Sequence, residues 1–286
     1  MERDTGIATC AQAPDLDEDG PLLLAALADA GVRARAAVWD DPTVDWSAFD
    51  LVLVRSTWDY PLRREAFLAW TRTCRVTVNP QDVLAWNTDK RYLVDLAGAG
   101  VPTVPTVFVP PGSATPALEG DVVVKPAVSG SAADTGRFSS TSRADARALV
   151  AGLHAQGRTV MVQPHLPGID VDGETSLVFL GGAFSHAVRR QPLLTEVGER
   201  RPVVVADVLG TVRAVEATDA QLAVARAALD GVPGGPVRLS WARVDLIPGA
   251  DGPVVLELEA TDCFLFLAHA APAALARLVE HALAVR

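Results

Sequence analysis

DVVVKPAVSGSAADTGRF, residues 121–138, runs from an apolar stretch through one lysine into a loop of small residues. Val122, Val123 and Val124 read as a buried strand, and Lys125 ends it. Ser129-Gly130-Ser131-Ala132-Ala133 follows, with backbone N–H groups free to wrap an anion. Lysine is scarce: the chain holds two, Lys90 and Lys125, against 23 arginines. An ammonium is a compact point charge on a flexible stem, not an equivalent of guanidinium, so these two positions are candidates for places where that shape matters. Strand, terminal lysine and Gly/Ser loop together read as a phosphate site. An exposed lysine before an ordinary surface turn fits the same local pattern.

Working outward, 286 residues suffice for a substantial core and two or three lobes. An apolar fraction of 49% and a charged fraction of 21% are those of a globular chain. The net charge of −10 argues against a broad basic face for nucleic acid, although a locally positive cleft can still bind anions. No apolar run approaches the ~20 residues of a membrane span, and MERDTGIATC lacks a basic-then-apolar leader, so the expected location is the cytoplasm. Cys10, Cys74 and Cys263 are widely spaced and the five histidines lack metal spacing, so neither a disulfide framework nor a zinc site is expected.

Upstream of the lysine strand, strands and helices alternate. Gly6–Cys10, Arg33–Trp39, Leu51–Arg55 and Val76–Asn79 read as strands, and Pro21–Ala30 as a helix stopped by Gly31. Leu51–Arg55 is apolar enough to be central in a parallel sheet. The loop after it, Arg55-Ser56-Thr57-Trp58-Asp59-Tyr60, lies where open α/β sheets bind ligands, which makes it a candidate substrate site. A polar turn with Asp59 capping a helix from Pro61 through Thr73 is the competing reading. Asn87-Thr88 reads as the cap of a helix through Ala99, with Lys90 in its first turn. That end of a helix disfavours a solvated cation but suits a bound anion.

Downstream, strands near Gly136–Ser139 and Thr159–Gln163 bracket a helix at Ala144–His154, a unit of about 60 residues that is small for a free-standing domain. Gln163-Pro164-His165-Leu166-Pro167 reads as a stiff hinge. Glu174–Leu180 and Ala183–Arg190 form a hairpin about Gly181-Gly182, and His186 within it reads as packed. Val203–Val208 is a short strand candidate, and Thr218 is a possible cap for a helix at Asp219–Leu229.

The strongest independent signal is LSWARVDLIPGADGPVVLELEAT, two apolar strands around a turn-rich loop. With the loop centred near Asp251, Asp245 faces Glu257. Glu257 and Glu259, two apart, share a face. Three carboxylates among Val, Leu and Ile repel one another unless a cation intervenes, and two or three carboxylates completed by water and phosphate oxygens suit Mg²⁺. Arg243 projects to the same face, which marks a mixed-charge site. A solvated outer face of an amphipathic hairpin is the alternative.

Lys90, Lys125 before the Gly/Ser loop, the Gln163 hinge and the Asp245…Glu257-x-Glu259 hairpin together resemble the ATP-grasp superfamily, over nearly the whole chain. MVQPHLPGIDVDGE resembles the hinge of prokaryotic glutathione synthetases, and ARVDL with LELEA the metal hairpin of D-alanine–D-alanine ligases. RSTWDYP, NPQDVLAWNTDKRYL and GETSLVFLGGAFSHAVRRQP are similar to cyclo-ligases that close O-ureido-D-serine to D-cycloserine. The resemblance implies an α/β ATP-grasp fold: a Rossmann-like parallel-sheet lobe over residues 1–86, then an ATP-grasp domain over 87–286. Within the latter it implies a lid at about 105–163 and a metal-binding, catalytic part at about 164–286, the two α+β lobes clamping ATP.

It also implies roles. Lys90 and Lys125 would hold the α- and β-phosphates, and the Ser129–Thr135 loop (Ser129, Gly130, Ser131) would close over the γ-phosphate. Gln163, His165 and Leu166 would line the adenine slot, and Asp170 or Glu174 would take the ribose. Asp245, Glu257 and Glu259 would bind two Mg²⁺, and Arg190 and Arg243 would grip the transferred phosphoryl group. Arg55, Ser56, Thr57 and Asp59 are the candidates for the amino-acid substrate. Many relatives carry Asn where this chain has Glu259, an extra negative charge that should tighten the metals. TDCFLFL also departs from the Gly-rich closing loop of relatives. The implied activity is an ADP-forming ligase that makes an acyl phosphate for attack by nitrogen, cyclising O-ureido-D-serine to D-cycloserine. The implied partners are small molecules rather than nucleic acid or membrane, with a homodimer open. An intermolecular carboxylate–amine ligase and a non-catalytic ATP-binding protein are the alternatives; the complete set of lysines, arginines and carboxylates argues against the second. No G-x-G-x-x-G follows the first strand, which argues against a dehydrogenase.

Overall fold

The computed structural model describes residues 4–194, 197–198, 200–201 and 212–285. The expected strand at Val203–Val208 lies outside them. The N-terminal lobe alternates β1 (Asp4–Thr9), α1 (Gly20–Asp29), β2 (Arg33–Val38), β3 (Leu51–Val54), α2 (Arg64–Thr71) and β4 (Thr77–Val78). The strands form a parallel sheet of order β2-β1-β3-β4. Leu51–Val54 is wholly buried in its interior, as a continuous apolar run requires when both faces are covered.

Two short helices follow, α3 (Gln81–Asn87) and α4 (Tyr92–Gly98), where one helix was expected from Asn87 to Ala99. Asn87 therefore ends a helix instead of capping one, and Lys90 sits in the turn between them. The Lys90 N–H is diverted to the Ala127 carbonyl at 2.9 Å, a tertiary bond that interrupts the helical ladder. The helix expected from Pro61 is also broken, here by the local backbone. A 3₁₀ turn at Tyr60–Leu62 ends at Arg63 (φ −139°), α2 starts after it, and Asp59 makes no cap.

The second sheet is antiparallel and contains the lysine strand. It comprises β5 (Val107–Val109), β6 (Val122–Pro126), β7 (Thr135–Phe138) and β8 (Val160–Pro164), with helix α5 (Arg143–Ala155) burying Ala146, Leu149, Val150 and Leu153 against them. A short helix, α6 (Gly168–Asp172), occupies the end of the expected hinge segment. The third sheet begins with the hairpin of β9 (Glu174–Leu180) and β10 (Ala183–Arg190), turning at Gly181 and Gly182 with φ +56° and +74°. These left-handed values favour glycine. The chain then lends β11 (Arg200–Arg201) to the second sheet, giving the order β11-β7-β6-β8-β5.

After β12 (Val212–Val215) comes α7 (Asp219–Asp230), whose first turn carries a full capping box between Thr218 and Gln221. The acidic hairpin, β13 (Trp241–Gly249) and β14 (Gly252–Glu259), completes the third sheet in the order β12-β10-β9-β13-β14. The C-terminal helix α8 (Pro272–Ala284) packs back on α1, so Leu23 and Leu27 share one core with Trp241, Leu265 and Leu278. Among the described residues no helix is long and apolar enough to cross a membrane.

Candidate active site

Lys125 enters the site from β6, the strand whose valines anchor it in the second sheet. Its side chain lines a cavity between the sheets and, at 8% exposure, is almost out of solvent. Burial pushes its ammonium down to about 8; attraction to Glu257 opposes this and repulsion from Lys90 reinforces it. No hydrogen bond or ion pair reaches it from the described residues. Lys90 faces the same cavity from the α3–α4 turn. Its Nζ donates to the Ser129 carbonyl (2.6 Å) and hydroxyl (3.2 Å) and lies 3.0 Å from a Glu257 oxygen. One lysine thus tethers the Gly/Ser loop to the acidic hairpin while the other stays free. Ser129, Gly130 and Ser131 all line the cavity, and Ser131 and Ala132 hold positive φ.

The opposite wall is the acidic hairpin, where Asp245 stands across from Glu257 and Arg243 from Glu259. The turn alone would not give this register, because Gly249 pairs with Gly252 and Leu246 with Val255. A bulge at Leu256 adds one residue, moving Glu257 opposite Asp245 and setting both glutamates on the cavity face. Arg243 grips Asp245 through Nε and Nη2, each at 2.8 Å, and reaches Glu259 at 2.5 Å. Arg190 pairs with Glu174 and, at 3.1 Å, with Asp245. Burial alone would raise the Asp245 carboxyl, but the two guanidiniums hold it below the ordinary range. Glu259 goes the other way: burial raises it, Arg243 only partly offsets this, and Glu257 and Asp245 add repulsion. Glu174 is raised chiefly by burial despite Arg190.

Gln163, His165 and Leu166 line the cavity together with Ile169. Gln163 is tied to Thr106 at 2.8 Å, and His165 to Asp170 at 2.9 Å. Asp170 also pairs with Arg137 and is outside the cavity lining, so of the two ribose candidates Glu174 alone reaches it. The expected substrate loop is corrected more sharply. Arg55 is 1% exposed, donates to the Cys263 carbonyl at 3.0 Å and lies against Asp17 and Asp19. The Ser56 hydroxyl accepts from the Asp17 N–H, Thr57 donates to Asp262 at 3.0 Å, and Asp59 accepts from the Trp39 indole at 2.9 Å. Arg55 and Thr57 tie the N-terminal lobe to the C-terminal part and Ser56 and Asp59 brace the N-terminal lobe itself, while Trp58, Tyr60 and Pro61 of the same segment face the cavity. Sequence reasoning chose the polar residues of that loop, and packing turned the aromatic ones inward. It also passed over Asp262 and Phe264, which line the cavity from TDCFLFL, the stretch already noted as departing from relatives.

Among the described residues no three His, Cys, Asp or Glu side chains converge as a cage for a metal. The donors that suit a hard cation are Glu257 and Glu259, adjacent on one face of β14. Magnesium typically takes one or two carboxylates and completes its shell with water and substrate phosphate oxygens, which this pair fits. Asp245, expected as a third ligand, has its oxygens engaged by Arg243 and Arg190.

Comparison with known proteins shows what the chain as a whole is similar to. Residues 5–79 match the family described as D-cycloserine synthetase DcsG, N-terminal domain. The cycloserine biosynthesis protein DcsG of Streptomyces lavendulae is 38% identical over 270 residues, spanning 88% of this chain and 89% of that protein. A crystal structure of D-cycloserine synthetase DcsG superposes with a TM-score of 0.86 at 34% identity, covering 97% of this chain and 98% of the other. The D-alanine–D-alanine ligase of Bacillus anthracis complexed with ATP superposes with a TM-score of 0.67 at 12% identity, covering 98% and 96%, a likeness of fold alone.

Proposed function

The chain belongs to the D-cycloserine synthetase family of ATP-grasp ligases, and from that premise we infer that its cavity cyclises O-ureido-D-serine to D-cycloserine at the expense of ATP. A carboxylate resists attack by nitrogen because oxide is a poor leaving group. Transfer of the γ-phosphoryl group gives an acyl phosphate, the oxygen-bound ureido nitrogen attacks its carbonyl to close a five-membered ring and loses its proton as phosphate leaves, and hydrolysis then removes the carbamoyl group as carbon dioxide and ammonia. Water would destroy the acyl phosphate, so the lobes must exclude it.

The observation that carries this reading is Lys125: a buried ammonium in a cavity, without a hydrogen-bond or ion-pair partner among the described residues, facing Lys90 and the Gly/Ser loop. Bound triphosphate would supply the missing anion. In the proposed assignment Lys90 and Lys125 hold phosphates, Ser129, Gly130 and Ser131 cover them, and Gln163, His165 and Leu166 border the base. Glu257 and Glu259 hold Mg²⁺, two ions with Asp245 contributing once Arg190 and Arg243 turn to the transferred phosphoryl group. The metal supplies charge neutralisation between phosphates. The proposal extends to the boundaries, with the N-terminal lobe ending near residue 86 and the lid spanning about 105–163, and to a homodimer in the cytoplasm, tested by light scattering and fractionation.

The decisive experiment is ADP release with Mg²⁺-ATP and O-ureido-D-serine, the product identified by mass. Substrate-dependent ADP together with D-cycloserine is the expected result. ATP binding without turnover on this substrate would instead direct the search to an intermolecular ligase acting on pairs of amino acids.

A further inference from the structure

Five carboxylates line the cavity: Glu174, Asp245, Glu257, Glu259 and Asp262. The first four each have a cationic partner in Arg190, Arg243 or Lys90. Among the described residues Asp262 has no ion pair. Its Oδ2 accepts from Thr57 Oγ1 at 3.0 Å, and its Oδ1 is closed off from solvent without any hydrogen-bond donor. Arg55 attracts Asp262 from a distance but makes no contact with it, its Nη2 going to Asp17, Asp19 and the Cys263 carbonyl. The χ2 torsion of Asp is soft, so either oxygen can turn toward a ligand.

The surroundings are aromatic. Trp58 and Phe264 pack at 5.8 Å between ring centroids, and Tyr60 lines the cavity beside them. Unpaired carboxylate and aromatic faces together are the chemistry that recognises an organic ammonium. The wall is held in place. Asp19 accepts from the N–H groups of Leu265, Phe266 and Leu267 at 2.6, 3.1 and 2.7 Å, and Arg243 donates to the Phe264 carbonyl at 3.0 Å. Such a preformed support is what precise ligand placement needs.

We propose that Asp262, bordered by Trp58, Tyr60 and Phe264, receives the α-ammonium group of the substrate. The proposal deepens the amino-acid reading above and rests on it. An ammonium held by this carboxylate keeps its proton and has no lone pair to attack an acyl phosphate. The ureido nitrogen is then left as the nucleophile.

The test compares binding of O-ureido-D-serine and its des-amino analogue, 3-(ureidooxy)propanoate, by calorimetry on wild type, Asp262→Asn and Trp58→Leu. Wild type should prefer the amino compound by about 30-fold or more, the lower end of what losing a buried charge partner costs. Asp262→Asn should bring the two affinities within about threefold while ATP affinity stays within about twofold. Trp58→Leu should weaken the amino compound alone, by on the order of fivefold, and it decides the matter should Asp262→Asn not fold. Equal wild-type affinities, or a preference that survives both substitutions, would overturn the inference. Absence of ADP release by wild type would sink the cyclisation instead, because the binding ratio is measured without turnover.

Discussion

Lys125 carries a charge that none of the described residues neutralises by contact, and its behaviour with pH follows. Its pKa falls from 10.5 to about 8 on folding. Between those values the unfolded chain keeps a proton that the folded one has lost, so this group makes stability rise with pH in that window. Below about 8 the buried charge is a cost. Lys125→Met should therefore be more stable than wild type at pH 7 without ligand, with the gap narrowing toward pH 10; urea unfolding at both pH values checks it. The same substitution should weaken ATP binding by on the order of 100-fold, since a phosphate would lose its partner. At Glu259 the expected change is in metal demand. Glu259→Gln keeps the shape and removes a charge that Glu257 and Asp245 oppose. The Mg²⁺ concentration for half-maximal ADP release should rise about tenfold or more, with the fold intact by circular dichroism.

The elements teach a different lesson, because side-chain placement in a strand depends on parity. Glu257 and Glu259 reach the cavity only because Leu256 is bulged out of register with β13. The bulge absorbs one extra residue, so deleting Leu256 should regularise the ladder and leave Glu257 opposite Asp245 and Glu259 opposite Arg243. ADP release should therefore persist, with a retained cooperative unfolding transition that Mg²⁺-ATP still shifts upward. A contrasting substitution is Thr218→Ala, which removes the capping box of α7. It should cost about 1 kcal/mol of stability and leave substrate KM unchanged. Local rules also fared unevenly here. The Gly181-Gly182 hairpin, α7 and the order of strands around Lys125 were legible because turn chemistry and capping are local. The single helix expected from Asn87 was not, because the bond that breaks it comes from Ala127, 37 residues away from Lys90.

At the scale of the molecule, the lobes are joined by buried side chains that bind backbone across them. Asn79 donates to the Trp241 and Ala260 carbonyls, each at 2.8 Å, and accepts from the Ser240 N–H at 2.8 Å. Asn87, just past the lobe boundary, donates to the Leu258 carbonyl and accepts from the Ala260 N–H and the Thr261 hydroxyl. Asn79→Ala would leave three buried backbone groups unpaired, each worth about 1–3 kcal/mol. Unfolding should show a loss of about 3 kcal/mol or more, with a raised KM for the carboxylate substrate. By itself, the sequence determined the two lysines, the hairpin glutamates and Arg243 that line the cavity, while the ATP-grasp architecture and the place of Arg190 came through its resemblance to a known superfamily. Those signals are carried by spacing within strands and by charges too costly to bury without purpose. The tertiary structure alone decided that Arg55 and Thr57 tie the lobes together, that Ser56 and Asp59 brace the N-terminal lobe, and that Trp58, Tyr60 and Asp262 face the cavity. Which side of a loop faces a cavity depends on partners brought from more than 200 residues away, as with Thr57 and Asp262, and no local pattern encodes them.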